Sequence, residues 1–67
     1  MSIEERRSLV ASFLRRCVRY ANDSIGRKIG RGGQEDEISR WVAYRDFTEH
    51  AIIEVSNGDL DSWLEEE

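Results

Sequence analysis

Apolar side chains recur at steps of three and four through Leu9, Val10, Phe13, Leu14, Cys17, Val18 and Ala21. At about 100° per residue this spacing gathers them on one side of an α-helix. Arg15, Arg16 and Arg19 fall on the opposite side. Ser2 with Glu5 three residues on has the form of a capping box, so a first helix is predicted over about residues 3–23. A second series, Ile38, Trp41, Val42, Ala51, Ile52 and Val55, keeps the same period until Asn57 and Gly58, a pair suited to a left-handed helix stop. That series predicts a helix over about residues 35–56, with Glu35, Asp36 and Glu37 favouring the positive end of its dipole and either Gly33 or Asp36 as its cap. Asp59 reads as the N-cap of a short third helix over about 59–65, in which Leu60, Trp63 and Leu64 share a face. Glu65, Glu66 and Glu67 put negative charge at the unfavourable end of that helix, so its tail is expected to fray.

There is no proline, and Gly26, Gly30, Gly32 and Gly33 cluster between the two long segments. The pattern therefore describes one all-α domain over residues 1–67, an antiparallel helical hairpin with a glycine-rich basic connection at 25–33. The apolar arc of the second helix covers roughly 180° of its wheel, more than a single neighbour can bury. In a chain of 67 residues a core normally yields only about 3–5 kcal/mol. Burial is thus expected to be shared with a second copy, two hairpins meeting as a four-helix-type bundle. The expected interface comprises Trp41, Tyr44, Phe47, Ile52, Val55, Leu60, Trp63 and Leu64.

Charge is sorted along the chain. Residues 1–33 carry eight Lys/Arg against three Asp/Glu, and residues 34–67 carry two against eleven. Either the halves face each other or they offer opposite surfaces to different partners. The first reading pairs Arg15, Arg16 and Arg19 with Asp46, Glu49 or Glu54, within the chain or across a dimer. The second makes the chain a small nucleic-acid-associated regulator, with Arg15, Arg16 and Arg19 as a ridge and Arg27, Lys28 and Arg31 on the IGRKIGRGG segment. That segment is not a phosphate-binding P-loop, and Tyr20 is the only aromatic near the ridge for base stacking.

No residues suggest catalysis, a cofactor or a metal. Cys17 and His50 are the only cysteine and histidine, too few for a structural zinc site. Asp46, His50 and Glu54 are spaced four apart, and the outer two lie about two turns from each other, beyond the reach of one small ion. In a hairpin turning near Ile29, Cys17 lies opposite about residue 41 and His50 is ~13 Å further along, so the two cannot act as nucleophile and base. No apolar run approaches the ~20 residues of a membrane span, and the charged opening stretch lacks a signal-peptide core. A soluble cytoplasmic protein without membrane contact is expected.

Nine arginines and one lysine in a chain of net charge −4 form an unusual balance. Acidic side chains hold a hydrated surface in salt, and arginine pairs bidentately with carboxylates. With the central glycine break and the stretch from YRDFTEHAI to GDLDSWL, this composition resembles the small uncharacterised all-helical proteins of halophilic archaea, a domain-of-unknown-function type. The resemblance implies a cytoplasmic, salt-adapted protein able to dimerise, and it carries over no catalytic or binding residues. The function expected from the sequence is a non-enzymatic protein-protein interaction or dimerisation module.

Overall fold

The computed structural model describes residues 1–65; Glu66 and Glu67, part of the tail expected to fray, lie outside them. Three helices follow one another: α1 (Ile3–Gly30), α2 (Glu35–Asn57) and α3 (Asp61–Glu65). The two long helices pack against each other and α3 folds back on α1, giving an elongated body of 45 × 19 × 15 Å.

α1 begins as its sequence indicates. Ser2 Oγ accepts the Glu5 backbone N–H at 3.1 Å, and its own hydroxyl donates to Glu5 Oε1 at 3.2 Å. The helix does not stop near residue 23 but runs on to Gly30. Ile25 explains why: it is buried one turn after buried Ala21, and fully burying such a side chain is worth about 1.5–3 kcal/mol. That exceeds the roughly 1 kcal/mol that Gly26 costs within a helix. Lys28, half-buried a turn later, pairs with Glu37 at 3.2 Å. The connection expected at 25–33 therefore shrinks to Arg31–Gln34.

Both long helices end in the same way. Gly32 adopts φ 70°, donates to the Ile29 carbonyl at 3.1 Å, and is followed by Gly33 donating to Lys28 at 2.6 Å. Gly58 adopts φ 87° and donates to Val55 at 3.2 Å, with Asp59 donating to Glu54 at 3.0 Å. These crossed bonds satisfy the last carbonyls of each helix, and the left-handed residue they require is one that glycine adopts without penalty. Neither Gly33 nor Asp36 caps α2; Gln34 holds that position without a side-chain bond, because Gly33 is already engaged in closing α1. Likewise α3 starts at Asp61 rather than Asp59, since Gly58 to Leu60 form the turn that leads into it.

The seam between α1 and α2 is built from small side chains. Ala11, Ala21, Ser24 and Ile25 of α1 and Thr48 and Val55 of α2 are buried, and Thr48 Oγ1 donates to the Tyr44 carbonyl at 2.8 Å. Leu9 and Phe13, which share the apolar side of α1, are exposed. Small residues let the backbones approach closely, and the wide apolar arc of α1 then overhangs the contact on one side.

Two arginines tether α3. Arg6 Nη1 donates to the Leu64 carbonyl at 2.5 Å, and Arg7 grips Asp61 with Nε on Oδ1 at 2.8 Å and Nη2 on Oδ2. The hydrogen bond from Arg7, aided by its charge, holds the Asp61 carboxyl below its ordinary value of 3.8, and the same bond raises Arg7. A carboxylate depressed in the folded state contributes stability that is complete above its unfolded pKa and disappears as pH falls through the folded one. Acidification below about pH 4 should release α3, lowering the melting temperature of the native chain more than that of Asp61→Asn; equal acid sensitivity would remove this role for the pair. Glycine substitutions should act in opposite directions. At Gly58 a Cβ would lie 3.1 Å from Arg7 Nη2 and 3.2 Å from Asp61 Oδ2, so Gly58→Ala should destabilise by about 1–2 kcal/mol. Space around helical Gly26 is open, so Gly26→Ala should stabilise by about 0.5–1 kcal/mol in denaturant titration.

Candidate functional site

The antiparallel pairing brings Tyr20 and Trp41 together, with ring centroids 5.7 Å apart and planes tilted by 54°. Tyr44, nearly one turn on, continues the series at 6.2 Å from Trp41. The Lys28 ammonium sits 5.5 Å from the Trp41 ring centre while paired with Glu37, so the indole is held from one end by a cation and a carboxylate. Between the helices these rings line an open groove of about 540 Å³ together with Cys17 and Ala21, and Arg16 and Arg40 contribute to its walls. A volume of this size is typical of binding clefts.

The groove belongs to a longer apolar flank. Leu9 and Phe13 share the Tyr20 side of the α1 wheel, and Phe47 neighbours Tyr44 on α2. Their exposure ranges from 57 % at Leu9 to 76 % at Phe47. Of the eight residues expected at an interface, Tyr44, Phe47 and Trp63 are exposed, while Trp41, Ile52, Leu60 and Leu64 are half-buried. Val55 is buried in the hairpin seam and has no surface to offer. Leu9, Phe13 and Tyr20 stand outside the eight, although the breadth of the apolar arc on α1 carries the same signal as that on α2.

The opposite flank is basic. Arg15, Val18 and Arg19 of α1 line a shallow hollow with Glu49, Ile52 and Ile53 of α2. Among the described residues, Arg15, Arg16 and Arg19 form no salt bridge with the acids expected to meet them. Arg45 on α2 takes two of those acids, pairing with Asp46 at 3.2 Å and Glu49 at 3.5 Å, and reaches Asn22 Oδ1 of α1 at 3.1 Å. The six residues of the nucleic-acid reading are therefore not alike. Arg15, Arg16, Arg19 and Arg31 are exposed, Arg27 donates to Ser24 Oγ at 3.2 Å, and Lys28 is committed to Glu37 and Trp41. Because Ile25 to Gly30 are helical, their amides bond within the helix and offer no phosphate cradle.

His50 is exposed on α2 and does not line the groove that contains Cys17. Among the described residues no group of three or more His, Cys, Asp or Glu is placed to hold a metal ion, and no helix is long and apolar enough to cross a membrane. Comparisons with protein-family models, curated proteins and solved structures give no match. Lys28→Ala should remove both its ion pair and its contact with the indole, lowering unfolding stability by about 1 kcal/mol; a neutral result in denaturant titration would mean that Trp41 is held by ring packing alone.

Proposed function

We propose that this chain is a non-enzymatic helical interaction module that pairs with a second copy through its aromatic flank. The observation that carries the reading is the exposure of Leu9, Phe13, Tyr20, Tyr44 and Phe47 along one side of the hairpin. Scattered exposed apolar residues are ordinary on a protein surface, but a continuous row of large ones marks an interface. A side 45 Å long and 19 Å wide has the extent needed for a stable dimer, about 800 Å² per partner. Two such flanks face to face complete the burial that the small-residue seam leaves undone, as in a four-helix bundle. The acidic, arginine-rich composition supports a salt-adapted, cytoplasmic setting, the one implied by the resemblance to proteins of halophilic archaea. At ~1 M salt the Debye length is only ~3 Å, so apolar contact persists where loose charge attraction is screened.

A second reading, a small nucleic-acid-associated regulator, is favoured by one observation: Arg15, Arg16 and Arg19 lack acid partners among the described residues. Arg15 and Arg19 lie on the flank opposite the aromatic groove, clear of such a dimer, whereas Arg16 lines the groove itself.

Sedimentation equilibrium should show a dimer for the native chain, and Phe13→Glu combined with Phe47→Glu should yield a monomer of unchanged helical content. A native chain that remains monomeric at high concentration would overturn the dimer. For the second reading, anisotropy of labelled duplex DNA and single-stranded RNA should show binding that weakens steeply with salt and is lost when Arg15, Arg16 and Arg19 are neutralised; no binding at any salt that preserves the fold would eliminate it.

A further inference from the structure

The groove and the end of the chain are complementary. The groove offers the rings of Tyr20, Trp41 and Tyr44, with Arg16 and Arg40 in its walls. α3 offers Trp63, which is 74 % exposed, followed in sequence by Glu65, Glu66 and Glu67. An indole next to a run of carboxylates is the chemistry such a groove accepts: aromatic surface for the ring and bidentate cations for the acids. We propose that the Trp63 segment of a second copy occupies this groove, an inference that rests on the dimer described above.

The segment cannot serve its own groove. Arg7 holds Asp61 beside the start of α1, whereas the groove lies around Cys17 and Tyr20, about 15–20 Å further along the helix at 1.5 Å per residue. A two-fold axis crossing α1 near Ala11 to Phe13 removes the mismatch. In that antiparallel arrangement Leu9 and Phe13 meet their counterparts at the centre, and each α3 comes opposite the other chain's groove. Arg6, which holds the Leu64 carbonyl, lies on the Leu9 and Phe13 side of α1, so the end of α3 is tethered at the margin of the same flank. The interface is isologous, with one groove and one anchor from each chain.

Cysteine cross-linking tests the occupant directly. Ser62→Cys leaves Trp63 in place, and within one chain the thiol it introduces lies beyond the reach of a short bis-maleimide attached at Cys17. Mixed with isotope-labelled chain and mapped by mass spectrometry, the expected product joins Cys17 of one copy to the introduced α3 thiol of the other. Arg16→Glu with Arg40→Glu should abolish that link and weaken dimerisation by about 30-fold or more, with recovery when Glu65, Glu66 and Glu67 are changed to Arg in the same chain. Trp63→Ala should weaken dimerisation comparably while leaving helical content unchanged, as expected for an exposed side chain. A dimer by sedimentation in which only like positions are joined, Cys17 to Cys17 or one α3 thiol to the other, or in which no link forms, would overturn the proposed occupant and leave the dimer standing. A monomer by sedimentation would overturn both.

Discussion

The closeness of α1 and α2 governs everything else in this molecule. The buried positions are Ala11, Ala21, Ser24 and Ile25 on one helix and Thr48 and Val55 on the other, none of them larger than isoleucine. Close backbone approach gives good dispersion contact but removes little apolar area from water. Large side chains are displaced to the margins, where Trp41 finds a ring partner and Phe13, Tyr44 and Phe47 stay largely in solvent. A hairpin of this kind has its specificity in the seam and its remaining hydrophobic driving force on the flank.

Local hydrogen bonding sets the length of each helix once that seam exists. The crossed bonds at Gly32 and Gly58 turn the chain sharply, and the second turn delivers Asp61 to Arg7. Arg6 and Arg7 are adjacent on α1 yet reach different parts of α3, a carbonyl and a carboxylate. α3 has only five residues, too few for a helix to persist by itself. Its position therefore depends on electrostatic tethers more than on burial.

Much of this architecture is legible in the sequence. The capping pair Ser2 and Glu5, the left-handed stop at Gly58, and the alignment of Cys17 with Trp41 follow from local rules and from counting along an antiparallel hairpin. The end of α1 does not, because four clustered glycines resemble a break although only Gly32 needs a positive φ there. Whether Gly26 and Gly30 sit in a helix is decided by Ile25 and Lys28 finding contacts on α2, which no local pattern records. Periodicity also identifies the apolar side of α1 without showing which part of a wide arc meets the partner helix, and Leu9 and Phe13 lie on the part that does not. Within the chain the expected pairing of the α1 arginines is not made, and Arg45, on the same helix as Asp46 and Glu49, pairs with those two instead.

The positions of the two tryptophans have a practical consequence. Trp41 is half-buried, flanked by two tilted tyrosine rings and approached by an ammonium group, while Trp63 on α3 stands in solvent. Their fluorescence therefore arises from two unlike environments within one small chain. In the single chain the emission of Trp41 follows the integrity of the hairpin and that of Trp63 the exposure of α3, and in the proposed dimer, where Trp63 enters the groove lined by Trp41, both emissions change together on association.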